Sequence, residues 1–418
     1  MGPSRWRNTS GGDNLGSSRT PARVARPRLL TPTFLLVMLS MLAYFTAVGA
    51  IIPTLSRFVE GPLGGGGLEV GAVIGAFALT AVLLRPLSGR LSDKKGRRLL
   101  IIFGGISVGL SIFAYSFSES LPLLIFWRLV TGIGEAFFYV GAASVINDLA
   151  PDERRGEALS YFSLALFGGL AIGPITGETI LEATSFDLVW VFAGASALFA
   201  GAVGFIVPET RPADAGDTPG KLVHKAAILP GTVLATNIWA LATFSSFIVL
   251  HALDIGMSGG RFVFALNSGV IIGIRLFGAR LPDKLGAKKA GSSALVAVMA
   301  GMLVMGLWAA PLGLYIGTAI YSIGHALAFP ALMTLAISRA PASERGAVIG
   351  TFTAFFDLSF GVGAVSAGII ADAVGYRGAF VASAFIAFGG LALLLTAARN
   401  HARRTSAAEP ALVEATGR

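Results

Sequence analysis

Gly89-Arg90-Leu91-Ser92-Asp93-Lys94-Lys95-Gly96-Arg97-Arg98 is a polar stretch wedged between two long apolar runs. The run before it ends in Leu83-Leu84-Arg85-Pro86-Leu87-Ser88, and the run after it opens Leu99-Leu100-Ile101-Ile102-Phe103. A connection this short joins two antiparallel helices lying side by side. Gly89 is expected to remove a side chain where a helix end approaches a neighbour closely. Asp93, a carboxylate among five cations, can cap a helix N-terminus or pair with an arginine. Gly96 allows the positive backbone dihedral of a turn. Lys94, Lys95, Arg97 and Arg98 are expected to keep the turn on the cytoplasmic side.

The pattern occurs twice. Arg85, Arg90, Leu91, Asp93, Lys94 and Gly96 recur 190 positions later as Arg275, Arg280, Leu281, Asp283, Lys284 and Gly286. Pro151, Arg155 and Gly156 recur at the same offset as Pro341, Arg345 and Gly346. Two anchor points sharing one offset mark a tandem duplication of about half the chain.

Around these anchors the composition is that of a membrane protein. Of 418 residues, 54% are hydrophobic and 13% charged, about half the charged share of a soluble domain. Apolar runs longer than about 18 residues recur, the length that spans a bilayer. The 54 glycines allow helices to pack backbone to backbone. With no cysteine, disulfides, thiolate metal sites and thiol catalysis are excluded. The net charge of +9 does not point to nucleic acid, because the cations follow topology. With both termini placed in the cytoplasm, 26 of the 32 Lys and Arg fall in cytoplasmic segments. Only Arg57, Arg261 and Arg377 fall outside, and Arg85, Arg128 and Arg275 lie within helices. That asymmetry sets the expected orientation.

The pattern Gly-x-Leu-x-Asp-Lys-x-Gly-Arg-Arg at 89–98 resembles the loop 2–3 signature of the major facilitator superfamily, and the second copy departs from it at Ala279, Pro282 and Ala287. The resemblance implies an all-α membrane protein of twelve transmembrane helices in two pseudo-symmetric six-helix bundles. The chain divides accordingly into an N-terminal tail (1–31), a first bundle (32–207), a linker (208–228), a second bundle (229–397) and a C-terminal tail (398–418). The tail and linker are polar and lack helical periodicity. Helix 2 is expected to end near 88 and helix 12 near 397. The first apolar run is too long for a cleaved signal. The implied setting is a bacterial inner membrane, with a monomer in the lipid bilayer.

Charges near mid-membrane cost at least about 2.5–3.5 kcal/mol and call for a reason. Arg128 and Glu135 share helix 4, seven residues apart and so on one face. The run Arg128-Leu129-Val130-Thr131-Gly132-Ile133-Gly134 resembles the superfamily's helix 4 motif of proton-coupled members, which implies a part for Arg128 in proton transfer or in stabilising that site. The alternative is a structural arginine bonded to helix-end carbonyls. A carboxyl at Glu135 can gain and lose a proton as access alternates. The offset of 190 carries Glu135 onto His325, so corresponding positions hold an acid and an imidazole. Asp357 also lies near mid-membrane; it and His325 are either functional or a fixed structural pair. Among aromatics, Tyr139 flanks Glu135 and joins the candidate proton and substrate site. Arg85 and Arg275 are read as snorkelling to the interface, and His251 and Asp254 as solvated at the outer end of helix 7.

Gly169-x-x-x-Gly173-Pro174-x-x-Gly177 resembles the helix 5 signature of the drug–proton antiporter branch, with Glu178 standing where that branch has a glycine. Gly89, Asp93, Gly96, Arg97, Asp283, Arg155 and Arg345, with this glycine run, form the expected gating set. No Walker loop, metal-ligand spacing or nucleophile elbow occurs, so no enzymatic activity, cofactor or metal is expected. The expected function is proton-coupled export of a small amphipathic compound or drug by alternating access. The alternatives are a proton-coupled or facilitative transporter of a sugar or organic anion, and a non-transporting sensor.

Overall fold

The computed structural model describes residues 29–151, 154–211, 223–277, 285–338, 340–341 and 344–416; at 155, 156, 159, 345, 346 and from 398 onward the description is of the backbone only. The described residues are helical throughout, without a strand. The first half contains α1 (Pro32–Glu60), α2 (Gly67–Lys95), α3 (Arg97–Phe113) with a short 3-10 turn after it, α4 (Leu121–Leu149), α5 (Arg155–Ala183) and α6 (Phe186–Val203). The second contains α7 (Lys225–Asp254), α8 (Arg261–Phe277), α9 (Ala287–Leu307) and α10 (Pro311–Ile337). The stretch Arg345–Thr416 is broken at Val374 (φ −137°) and Gly375 (φ 76°) into α11 before the break and α12 after it.

Ten stretches among the described residues are long and apolar enough to cross a membrane. The last of these, Ala347–Ala397, has 51 residues and contains the break, about 76 Å of helix and more than two bilayer cores. α8 has 17 described residues.

Local chemistry explains the helix ends. Thr31 caps α1, its hydroxyl accepting from the Phe34 backbone N–H at 3.2 Å. α2 continues through Ser92-Asp93-Lys94-Lys95 to Gly96, beyond the end expected near 88. Nothing in that segment breaks a helix, and Lys94 and Lys95 complement the negative end of the helix dipole. The turn is confined to Gly96 (φ 100°), where only glycine is unstrained. Gly89 therefore lies inside a helix, and a Cβ there would meet nothing within 4 Å. The close approach expected of it is absent. α12 likewise continues past 397 to Thr416.

Within each half, glycines bring helices into backbone contact. Gly169, Gly173 and Gly177 of α5 lie on α1 between Leu42 and Ala50. Gly301 of α9 lies against Gly317 and Tyr321 of α10. The halves meet along two corresponding seams. In one, Gly67, Gly71 and Gly75 of α2 face Gly368, Ala364 and Gly361 of α11. In the other, α8 meets α5, where Ser268 Oγ donates to the Ala171 carbonyl at 3.2 Å. The α2–α3 turn, the end of α4 and the chain after α6 share one end of the molecule, here called the linker face; the opposite end is the far face.

Candidate functional site

Glu135 is the fourteenth residue after Leu121 in α4, about 21 Å along the helix. It is 9% exposed and makes no hydrogen bond or ion pair with any described residue. The charges of Arg85, Asp357 and Arg128 act on it, as it acts on the hydroxyls of Tyr139 and Tyr44. Tyr44 of α1 stacks on Phe138 at 3.8 Å between centroids, and its buried hydroxyl has no hydrogen-bond partner among the described residues. α1, α2, α4 and α11 thus converge on one polar group inside an apolar bundle.

The tie between halves at this level is Arg85–Asp357. Arg85 NH2 donates to Asp357 Oδ1 at 3.0 Å, and NH1 lies 2.8 Å from Oδ2. The guanidinium also sits 4.9 Å above the Tyr139 ring. Asp357 is 6% exposed. A buried pair of this kind is costly to break from one side only, because the remaining charge is left uncompensated. Snorkelling of Arg85 is overturned here. Because α2 runs ten residues beyond it, Arg85 is too deep to reach the interface and turns to the acid on α11. Asp357 pairs with Arg85 and not with His325.

Arg128 is 2% exposed and bonded to the α2 backbone: Nε to the Val73 carbonyl at 2.9 Å and NH2 to that of Ile74 at 3.0 Å, over the Phe77 ring. The partners are carbonyls inside α2, not the helix-end carbonyls weighed from sequence. His325 lies in the other half, with Asn237 Nδ2 3.3 Å from its Nδ1 and the Tyr321 ring stacked on it. Arg275, also expected to snorkel, instead folds over the Phe167 ring of α5 at 3.7 Å, with Nε buried and unpartnered. His251 is wholly buried, not solvated, its Nε2 3.1 Å from the Met305 carbonyl beside Phe380. α9 and α12 cover that end of α7.

On the linker face, Asp93 pairs with Arg97 at 3.2 Å. Arg97 also reaches Asp148 at 3.0 Å and the Ser92 carbonyl at 2.8 Å. Glu209 accepts from the backbone N–H groups of Arg97 at 2.9 Å and Arg98 at 3.2 Å, at the start of α3. Burial pushes the Glu209 carboxyl up, but the backbone donors of Arg97, Arg211, Arg98 and Thr210 outweigh it and hold it below its ordinary value. Neither Asp148 nor Glu209 carries a sequence signal, being distant in the chain from the turn they brace. Asp283 lies outside the described residues, as do the side chains of Arg155 and Arg345.

On the far face, bonds cross between halves. Asp372 accepts from the N–H groups of Gly67 and Leu68, and Tyr376 donates to Glu60. Arg261 pairs with Glu182 at 2.9 Å. Glu178, fully buried, pairs with Arg57 at 3.3 Å and accepts from the Gly260 N–H at 3.1 Å. The departure from the helix 5 signature is therefore part of the closure of this face.

The Major Facilitator Superfamily profile matches residues 33–356 and 231–416. An uncharacterized MFS-type transporter of Salmonella typhimurium is 28% identical over 379 residues, covering 88% of this chain and 97% of its own. One from Burkholderia mallei is 28% identical over 385 residues, covering 88% and 92%. Among solved structures, an inward-facing bacterial homolog of the human lysosomal transporter Spinster superposes with TM-score 0.76 at 15% identity, covering 88% of this chain and 96% of its own. The nucleoside transporter NupG gives 0.68 at 14% identity, covering 87% and 99%. At these identities the structural matches speak for the fold.

Proposed function

The chain belongs to the Major Facilitator Superfamily, and from that premise we propose that it is a proton-coupled exporter of a small amphipathic compound. As a superfamily member it is a multi-pass membrane transporter and not an enzyme. The finer reading rests on one observation: Glu135, buried and unbonded, lies in the field of the Arg85–Asp357 pair that ties the halves together.

Arg85 serves two carboxyls. With Glu135 protonated, Arg85 belongs to Asp357 and the α2–α11 seam holds at this level. With Glu135 ionised, the two carboxylates compete for one guanidinium, and the seam is weakened. Proton occupancy of Glu135 thereby biases which way the halves rock around a site near the midplane. Arg128 fixes α4 to α2, so a change at Glu135 moves both helices together. The linker face is assigned to the cytoplasm by its cations, and the unit is a monomer.

The test is efflux from proteoliposomes under an imposed proton gradient, with a panel of amphipathic compounds. Glu135→Gln is expected to abolish gradient-driven flux while retaining binding, read as a ligand-induced rise in melting temperature. Full gradient-driven efflux by Glu135→Gln would overturn the assignment.

A further inference from the structure

The two seams between the halves correspond residue by residue, and one correspondence is unbalanced. The repeat offset of 190 carries Arg85 onto Arg275; subtracted from Asp357, it gives Phe167. Arg85 holds Asp357, while Arg275 lies over Phe167. The contact is shared by the two seams and the counter-charge is not. The difference extends to the neighbours. Arg85 acts on Glu135, while Arg275 acts on His325, the residue at the corresponding position.

Arg275 is thus a half-buried cation in the apolar part of the bundle with no carboxylate partner among the described residues. Its Nε is buried without an acceptor, and no nitrogen of the guanidinium hydrogen-bonds to a described residue. A ring face offsets part of the cost of a partly desolvated guanidinium and supplies no hydrogen-bond acceptor. Polar groups around His325 are also unsatisfied among the described residues: Asn237, which contacts His325, has a buried Oδ1 without a donor, and the buried hydroxyl of Tyr321, stacked on His325, has no partner. The other two arginines that the sequence places within the helices are already committed, Arg85 to Asp357 and Arg128 to the carbonyls of Val73 and Ile74.

We infer that Arg275 is the anchoring point for an anionic group, a carboxylate or phosphate, on the transported compound. Phe167 provides the apolar surface beside it. The inference rests on the transport reading above and narrows it to anionic or zwitterionic amphiphiles. The substrate's anion does at the α5–α8 seam what Asp357 does at the α2–α11 seam. Guanidinium suits this role because its planar fork bonds carboxylate or phosphate oxygens in pairs.

The chain has no cysteine, so a single introduced thiol reports its surroundings unambiguously. Ile271→Cys places one a helical turn before Arg275 on the same face. Its reaction rates with a negatively charged sulfonatoethyl and a positively charged trimethylammonioethyl methanethiosulfonate are compared in neutral, phospholipid-free detergent. With Arg275 present, the anionic reagent is expected to be favoured, and Arg275→Gln should lower the anion-to-cation rate ratio by about tenfold. Arg275→Lys should retain most of it. 4-Phenylbutyrate should protect the thiol in an Arg275-dependent way, and 4-phenylbutylamine should not.

An unchanged ratio in Arg275→Gln, or no reaction with either reagent, overturns the inference. Protection seen only on adding phosphatidylglycerol, and not with 4-phenylbutyrate, overturns it in favour of a lipid headgroup. Measuring gradient-driven efflux beside the charge preference separates the two readings. A charge preference that stands where the wild type shows no gradient-driven efflux leaves the anion site without proton coupling. Absence of the preference with efflux intact removes only the anion site.

Discussion

Asp372 and Glu182 stand 190 residues apart and close the far face in corresponding ways. Asp372, at the end of α11, accepts from the first two N–H groups of α2. Glu182, at the end of α5, pairs at 2.9 Å with Arg261, the first residue of α8. Each acid lies on the half opposite to the helix start it engages. Each interaction can be lost without disturbing its own bundle, which is what a reversible closure requires.

The two should not be equal. Carboxylate bonds to a helix start are worth about 1 kcal/mol, while a partly exposed ion pair is worth less. Asp372→Asn is expected to open the far face more than Glu182→Gln, and the pair of substitutions to act additively. Spin labels on introduced cysteines at the far ends of α2 and α11 would measure the shift. Equal distance distributions in all variants would show that neither acid holds the face closed.

Arg85 and Asp357 form a buried pair, so single and double substitutions should diverge. Arg85→Gln or Asp357→Asn alone leaves an uncompensated charge in the seam and is expected to cost about 3–5 kcal/mol. The double variant should recover much of that loss in thermal unfolding. Transport should not recover with it, because neither charge is then left to respond to Glu135. A double variant as unstable as the sum of the singles would mean that the pair is not coupled.

The acid limb of stability should report Glu209. Its folded carboxyl is held below the ordinary value of 4.5 by four backbone donors. Its contribution is therefore fully present above the unfolded value and is lost as pH falls through the folded one. Screening at this largely exposed site limits it to about 1 kcal/mol. Glu209→Gln should lower the melting temperature near pH 7 and lower it less near pH 3. Equal destabilisation at both values would indicate lost packing and not lost charge.

Which features were legible in the sequence follows from how local they are. Gly96 announces its turn because only a glycine between two charged runs fits there, and the 190-residue offset needs only the two anchor runs. Glu135 stood out as an acid in an apolar segment. The Arg85–Asp357 pair was hidden because it depends on how far α2 runs before turning, and Lys94 and Lys95 looked like loop residues while serving as the last helical turn. Glu209 was hidden for another reason: two of its four donors are its neighbours Thr210 and Arg211 and two come from the distant start of α3, and no sequence pattern marks such a convergence. His251 looked interfacial by position, and only the packing of α9 and α12 buries it.

Gly89 and Gly173 make the sharpest contrast between a glycine in a motif and a glycine in a contact. A Cβ at Gly173 would lie 2.5 Å from the Thr46 carbonyl and 2.7 Å from the Ala50 nitrogen, both backbone atoms of α1. Gly173→Ala must push α1 and α5 apart along a seam that Gly169 and Gly177 also line, an overpacking cost of about 1–3 kcal/mol. Gly89 meets nothing and sits within a helix, where alanine is favoured by up to about 1 kcal/mol. Gly89→Ala should therefore raise the melting temperature slightly while Gly173→Ala lowers it by several degrees. The informative case is transport by Gly89→Ala. Because space around Gly89 is free with the far face closed, a stable variant that binds substrate but fails to move it would place the missing contact in the opposite conformation, with the linker face drawn together.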